Sequence, residues 1–253
     1  MSQARNIPFT ARSVVASLVL GMRRGRLPGS ALVDAAKLFG FTEGTTRVAL
    51  SRMVAAGELG TEDGWYSLTG PLLARHGRQE EGRRPKLRRW DGTWRMAVVG
   101  SQRARRAAAE RAAVRRSLAA LRLAEWREGV WVRPDNLGGD RAEVEGCTWL
   151  RGARFADDEG EVALVGTLFH PEEWAGGARE LLDAMAKTRP TDDVPESFAL
   201  AAAVVRHMRD DPLLPDALLP GDWPGTELRT AYDGYEAEFT RVLGSKVEGW
   251  GRP

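Results

Sequence analysis

The sequence predicts an α+β protein in three parts, residues 1–82, 87–168 and 169–253. Three observations predict this class. The first part has amphipathic helical segments followed by a hairpin signal, the middle part has strand-like segments around one long helix, and the last part has helical periodicity alone. A chain of 253 residues is long enough for two or three small domains.

Two helical segments open the first part. Residues 13–20 are apolar enough to form a packing helix. Residues 30–40 repeat their apolar side chains with the 3.6-residue period of an α-helix, and Gly40 stands where such a helix ends. We therefore expect two helices that pack against the segments that follow.

Residues 41–59 are the most informative stretch of the chain. Thr42 stands where the N-cap of a helix belongs, and Gly57 stands where the helix ends. The face that can pack inward carries three residues spaced i, i+4 and i+7: Thr46, Leu50 and Met53. Arg47 and Ser51 project together from a neighbouring face, so this helix combines a packing face with a polar one.

A hairpin signal follows the third helix. Two strand-like segments, residues 58–61 and 64–68, flank Asp63-Gly64, a dipeptide typical of tight hairpin turns. Helix, helix, helix and hairpin is the order of a winged helix-turn-helix, and such a fold reads duplex DNA with a recognition helix. A plain three-helix bundle with an added hairpin is the alternative that the pattern leaves open.

Charge is unevenly distributed along the chain. Residues 1–126 contain 23 Lys and Arg against 10 Asp and Glu, a net charge of +13, whereas residues 127–253 carry −11 and the whole chain +2. The basic half holds the predicted helix-turn-helix, where attraction to DNA phosphates is the natural use of that charge. A GC-rich coding bias could also supply many arginines, but it does not explain their sorting into one half.

Nine residues of the first part are candidate DNA contacts. Arg47 is the candidate for a base contact, because a guanidinium can bind two acceptors on guanine. Thr45 and Ser51 are further candidates on the same helix, and Arg52 can reach either a base or a phosphate. The other candidates are Thr46 on the helix and four arginines for the DNA backbone, Arg12, Arg23, Arg24 and Arg26. A solvated surface charge is the alternative for each arginine.

The middle part is predicted from alternating strand and helix patterns. A short helix over residues 71–79 and a linker over 77–89, rich in glycine and charge, lead into it. The elements expected next are a strand over 95–99, a helix over 102–122, a strand over 129–134 and strands near 144–155 and 161–168. This order resembles a split βαβ unit and predicts a ferredoxin-like α/β domain.

The last part is predicted to be helical. Helices are expected over residues 180–187, 196–209 and 227–243, the last two from stripes of apolar side chains. Prolines in residues 210–225 preclude a continuous helix there. The leucines of the same segment need burial, so an ordered connector is expected.

Composition excludes several classes of protein. The chain has no run of 18 or more apolar residues and its first residues lack the apolar core of a signal peptide, so no membrane span is expected. Cys147 is the only cysteine, which excludes an intramolecular disulfide and fits a reducing cytoplasm. Its simplest role is that of a small buried apolar residue.

The sequence contains no recognisable catalytic or cofactor motif. His76, His170 and His207 lack zinc-binding spacing, and no P-loop, dinucleotide fingerprint or nucleophile elbow is present. Asp91 is the one obvious acidic candidate for a metal-dependent nuclease in the ferredoxin-like domain, and a role in a Trp-Asp-Gly turn explains it better. We expect no enzyme, no cofactor and no metal.

Several short motifs follow one another along most of the chain, and their order is as informative as their residues. They are Ala11-Arg12-Ser13, residues 47–53, Leu68-Thr69, residues 90–94, residues 129–134, and the proline-containing residues 211–215, 218–220 and 223–225. Each is weak alone, but the set resembles the PaaX family, the repressors of the phenylacetic acid degradation operon. The resemblance implies a dimeric winged-helix repressor. It also implies that an aryl-acetyl-CoA thioester, typically phenylacetyl-CoA, releases the repressor from its operator.

An aromatic effector calls for aromatic side chains around it. Trp131, Trp149, Trp174 and Trp223 lie outside the DNA-binding part and are the candidates for an effector pocket. The alternative is that they are core residues, as most tryptophans are. A CoA thioester would in addition need Arg or Lys near its phosphates.

These patterns and the resemblance together predict a cytoplasmic transcriptional regulator, a dimeric repressor of an aromatic-acid catabolic operon. A dimer would place two recognition helices one DNA turn, roughly 34 Å, or a multiple of it apart, and would bind a palindromic operator. Two alternatives stay open: a nucleic-acid-binding protein with metal-dependent nuclease activity in the ferredoxin-like domain, and a protein–protein scaffold.

Overall fold

The structure, a computed structural model, describes residues 9–22, 24–100, 108–139, 142–155, 158–190, 193–248 and 250. It combines helices with two small antiparallel sheets, so the predicted α+β class is confirmed. The chain forms two compact units. We call them the helical unit, from residues 1–84, 177–210 and 224–253, and the sheet unit, from residues 85–176 and 211–223.

The helical unit begins with helices and a three-stranded sheet. The helices are α1 (Ala11–Leu20), α2 (Gly29–Lys37), α3 (Glu43–Ala55) and α4 (Gly70–Arg83), and the strands are β1 (Arg26–Pro28), β2 (Leu59–Glu62) and β3 (Trp65–Leu68). The strands pair in the antiparallel order β1-β3-β2. Three helices and the β2–β3 hairpin follow the predicted order. Strand β1 was not predicted, because three residues are too few to show a period.

Local chemistry explains both ends of α3 and the turn of the hairpin. The Thr42 hydroxyl accepts a hydrogen bond from the amide of Thr45, as an N-cap residue does. Gly57 follows the helix with a φ of 68°, which glycine adopts without strain. Asp63 and Gly64 both have positive φ, the geometry of the type I′ turn that this dipeptide predicts.

Helix α4 runs further than the sequence predicts. Pro71 stands in its first turn, where the missing amide proton costs nothing. The helix continues through Arg83, so the prediction that residues 77–89 are a linker was wrong for its first half. Tertiary packing is the reason, because Gly82 lies against the backbone of Met208 and lets two helices meet closely.

The sheet unit is built on four strands. Its elements are, in chain order, β4 (Trp94–Val99), α5 (Ala108–Ala120), β5 (Ala124–Arg127), β6 (Val130–Pro134), β7 (Cys147–Ala153) and α6 (Asp158–Phe169). Neighbouring strands pair antiparallel in the order β5-β6-β4-β7, as expected for a split βαβ unit. Leu118 of α5 packs on one face of the sheet, and Val165 of α6 packs with Leu214 on the other.

Residues 161–168 belong to helix α6, so the prediction of a strand there was wrong. A short apolar run fits a strand and a buried helix equally well in sequence. Glu161 and Val165 stand one helical turn apart. Val165 is fully buried in the core, and Glu161 accepts a hydrogen bond of 2.7 Å from the indole of Trp94. Packing against the sheet therefore decides the conformation of this segment.

The last helices are α7 (Pro171–Lys187), which belongs to the helical unit from residue 177 onward, α8 (Val194–Arg209) and α9 (Gly225–Lys246). Helices α8 and α9 share a core with the first helices. Phe198, Phe239 and Leu243 pack in the same hydrophobic cluster as Val14 of α1 and Leu50 of α3. The division of the chain at residues 82, 87 and 169 stays a prediction, whereas the packing joins the two ends of the chain in one unit.

Residues 210–225 form the ordered connector that their prolines and leucines predict. A 3-10 turn covers Asp216–Leu218, and Leu213 and Leu214 are 3 % and 1 % exposed. The buried side chains of Arg133 and Asn136 both donate hydrogen bonds to the Leu213 carbonyl, at 3.1 and 3.0 Å. These bonds tie the connector to the end of β6.

Candidate nucleic-acid interface

Helix α3 has one buried face and one exposed face. Leu50 and Met53 are 2 % and 1 % exposed, as the sequence predicts. On the other side, four candidate residues have exposed side chains: Thr45, Arg47, Ser51 and Arg52. Arg47 and Ser51 stand one helical turn apart, so they are presented together.

Arg47 has a partner that it can exchange. Its guanidinium donates a hydrogen bond of 2.7 Å to the Glu43 carboxylate one turn earlier, and the two side chains are 67 % and 52 % exposed. An exposed ion pair of this kind contributes at most about 1 kcal/mol. A guanine can therefore replace Glu43 as the partner of Arg47 at little cost.

Thr46 does not share this exposure. Its side chain is fully buried, and its hydroxyl donates a hydrogen bond of 3.0 Å to the Thr42 carbonyl. The expectation that Thr46 contacts DNA is therefore wrong for this structure. Thr46 is a packing residue, as its spacing to Leu50 already indicated.

A shallow groove lies between the first turn of α1 and one side of α3. Its lining includes Arg12, Thr45, Val48 and Arg52. Arg12 is 58 % exposed, and its Nε donates to the Glu58 carboxylate at 3.0 Å, a hydrogen bond that raises the pKa of Arg12. Two exposed arginines, Arg12 and Arg52, thus border the groove, and their positive charges favour a phosphate there.

The other backbone candidates lie at the small sheet. Arg26 is the first residue of β1 and pairs with Ser67 of β3. Its guanidinium lies 4.4 Å from the ring centre of Trp65 on the hairpin, a cation–π contact. Arg24 is exposed just before β1. Arg23 lies outside the described residues.

The four candidate effector tryptophans form two pairs. Trp131 and Trp149 lie opposite Ala97 on the two strands that flank β4, on the side of the sheet covered by α5. Trp174 stacks on Trp223, with ring centres 4.5 Å apart and planes 21° apart. Trp131 and Trp174 are only 6 % and 7 % exposed, so most of each side chain is in contact with the protein. A role of the four in effector binding stays a prediction.

Three family models match successive parts of the chain: PaaX-like protein over residues 10–72, PaaX protein central Cas2-like domain over residues 87–146, and PaaX-like protein C-terminal domain over residues 169–243. A similar solved structure is the uncharacterized protein Rv0674 from Mycobacterium tuberculosis. It is 40 % identical with a TM-score of 0.73, and the match covers 94 % of this chain and 98 % of that chain. The chain belongs to the PaaX family. No match was found among curated proteins.

Membership of the PaaX family agrees with the resemblance read from the motifs and supports a PaaX-like transcriptional regulator. In the part of this PaaX-family protein that the structure describes, no three His, Cys, Asp or Glu side chains are grouped so that they could hold a metal ion. Asp91 accepts hydrogen bonds from the amide and hydroxyl of Thr93 at 3.1 and 2.5 Å, which lower its pKa. Asp91 therefore closes a turn, as expected. None of the described helices is both long and apolar enough to cross a membrane.

Sequence reasoning overlooked Val48 of this PaaX-family protein. Its side chain is 50 % exposed on α3, next to Arg47 and one turn before Arg52. Its position in the sequence could have revealed it. Val48 lies outside the helical repeat of the buried Thr46 and Leu50, on a face whose other residues are polar. An apolar side chain at such a position can contact the methyl group of thymine.

Proposed function

We propose that this PaaX-family protein is a sequence-specific DNA-binding repressor that reads duplex DNA with α3. The two-sided character of α3 carries the proposal. Its buried face is held in the core of the helical unit, and its exposed face presents Arg47, Ser51 and Arg52. A helix anchored in this way can enter the major groove as a rigid element, as the recognition helix of a helix-turn-helix does.

Each exposed side chain has a role in this proposal. Arg47 binds guanine through its two acceptors, and Thr45, Ser51 and Arg52 contact neighbouring bases or phosphates. Three arginines position the protein on the phosphate backbone without reading sequence: Arg12, Arg24 and Arg26. Arg26 lies on the same small sheet as the hairpin, so the hairpin serves as the wing.

The finer parts of the proposal are a homodimer, a palindromic operator and an aryl-acyl-CoA effector of the phenylacetate type. Family membership supports them. Two copies of α3 would stand roughly 34 Å apart, one turn of DNA, or a multiple of that distance. The effector weakens DNA binding only if it binds better to a conformation with lower affinity for DNA, such as a dimer with a different spacing, than to the DNA-competent dimer.

Selection of bound sequences from a random duplex pool tests the proposal. The purified protein is used at near-physiological salt, because phosphate contacts alone bind any sequence at low salt. We expect an enriched palindrome with half-sites separated by about one helical turn. Binding that is sensitive to salt but indifferent to sequence would contradict the repressor proposal.

Substitution of Arg47 tests its assigned base contact. We expect Arg47→Ala to weaken specific binding by about 1–3 kcal/mol and to relax the preference at one position of the operator. Arg47→Lys keeps the charge but loses the bidentate geometry, so it should restore phosphate-driven affinity without the base preference. Arg116→Ala, an exposed arginine on α5, is the matched control. Unchanged sequence preference in Arg47→Ala, measured by fluorescence anisotropy, would rule out the assignment.

A further inference from the structure

A cavity of about 80 Å³ lies within the helical unit. Residues from the second half of α1 and from α4, α8 and α9 line it, together with Trp250. None of the residues singled out from the sequence as DNA or effector contacts belongs to this lining. Four helices of the unit meet at the cavity, so a ligand there would touch all of them.

Much of the lining is apolar. The rings of Phe198 and Phe239 lie 6.2 Å apart at their centres, and Leu18, Leu243 and Trp250 add further apolar surface. A cavity of about 150 Å³ is enough to hold a benzene molecule. The cavity therefore admits a compact apolar group, and a full aromatic ring requires one side chain of the wall to move.

Arg75 of α4 brings an unmatched positive charge to the lining. Its Nε is buried and has no hydrogen-bond partner within the described ranges. Burial and then the positive charges of Arg209, Arg206 and Arg78 lower the pKa of Arg75. A partly buried cation among other cations is costly, and an anion beside it removes that cost.

The other arginine of the lining, Arg83, is already neutralised. Its side chain is 7 % exposed, donates to the Glu236 carboxylate at 2.9 and 2.5 Å and pairs with Glu80 at 3.5 Å. It also lies 4.9 Å from the ring centre of Tyr232. The carboxylates that line the cavity thus form ion pairs with Arg83, and no ion pair between described residues includes Arg75.

We propose that this cavity binds an organic anion, with a compact apolar group beside Phe198 and Phe239 and the negative group at Arg75. The indole nitrogen of Trp250, buried and without a partner among the residues described, supplies a second donor. A free carboxylate has this chemistry, and so does a CoA thioester whose phosphates reach Arg75 while its acyl group enters the cavity.

The cavity is connected to the DNA-reading helix, and this step rests on the proposed function. Leu18 and Leu20 of α1 line the cavity and also belong to the core that holds Leu50 of α3. The Nδ1 of His76 on α4 lies 3.1 Å from the Leu20 carbonyl, which links α4 to the end of α1. An occupied cavity would change the packing of α1, whose first turn carries Arg12 beside the α3 groove, and so shift the population that binds DNA.

Titration calorimetry of the full chain without DNA tests the site directly. The probes are phenylacetate, phenylacetyl-CoA and CoA alone. We expect one of the first two to bind, and Arg75→Gln to weaken that binding about tenfold or more, because a charge-assisted hydrogen bond is lost. Arg84→Gln is the matched control, an exposed arginine at the end of the same helix that does not line the cavity. Ala202→Leu should weaken binding by filling the cavity while every charge is kept.

The outcomes separate the site from the proposed function. The site is overturned if neither phenylacetate nor phenylacetyl-CoA binds, or if Arg75→Gln and Ala202→Leu, both with wild-type melting curves, bind as tightly as the wild type. CoA alone binding as tightly as its thioester would rule out the acyl group of the thioester as the occupant of the cavity. Preference for phenylacetate or for the thioester identifies which source of the anion fits. Affinity for the selected duplex is measured separately. Ligand binding that leaves this affinity unchanged would keep the site and overturn its link to repression.

Discussion

At the scale of single residues, Val48 of α3 has an exposed side chain, and we propose that this side chain contacts DNA. It is 50 % exposed next to Arg47, although an apolar side chain gains nothing from water. We expect Val48→Thr, which has the same shape, to reduce the preference for thymine at one operator position by about 0.8 kcal/mol, the value of one methyl contact. Replacing that thymine by uracil removes the methyl group and should make wild type and variant equal in anisotropy titrations. Equal discrimination by both proteins on the thymine duplex would refute the contact.

Glu161 is a second residue with a specific and testable contact. Its side chain is buried and accepts the indole proton of Trp94, which is fully buried itself. We expect Glu161→Ala to lower the free energy of unfolding by about 1–3 kcal/mol, because a buried donor is left without an acceptor. Glu161→Gln keeps an acceptor oxygen and should cost less. Urea unfolding followed by tryptophan fluorescence measures both, and equal losses for the two variants would show that the hydrogen bond is not the cause.

At the scale of elements, the crossing of α4 and α8 depends on a single glycine. A Cβ at Gly82 would lie 2.5 Å from the Met208 carbonyl oxygen and 2.8 Å from the Cα of Arg209. We expect Gly82→Ala to destabilise the protein by about 1–3 kcal/mol through overpacking of backbone. Gly77 lies on the same helix with nothing within 4 Å of a built Cβ. Gly77→Ala should therefore stabilise by about 0.5–1 kcal/mol, and thermal melting that moves both variants in the same direction would contradict this account.

Elements differ in how far their sequence alone predicts them. Helix α3 was predictable because Thr42 caps its start, Gly57 ends it and its buried residues keep one period. Helix α6 was not, because the apolar run around Val165 fits a strand as well. The hairpin turn at Asp63-Gly64 followed from its own dipeptide, whereas β1 is defined by its pairing with β3, which no local pattern shows.

At the scale of the whole molecule, both candidate sites depend on packing between the first and the last helices of the chain. Phe198, Phe239 and Leu243, which follow α3 by about 150 residues or more in sequence, complete the core on which α1 and α3 rest. The anion cavity is formed by the same association, because α1 and α4 supply one part of its lining and α8 and α9 another. A ligand in this cavity would therefore act on α3, the helix that we propose reads DNA, through a core that both ends of the chain build.

Sequence by itself determined the family, the α+β class, the exposed Arg47–Ser51 face and the charge gradient, because caps, turns, periodicity and composition are local properties. Tertiary structure decided that Thr46, Trp131 and Trp174 are buried, that residues 161–168 are helical, and that Arg75 meets Phe198 and Phe239 at one cavity. These features depend on residues distant in sequence, whose proximity is set by long-range packing and which no local pattern records.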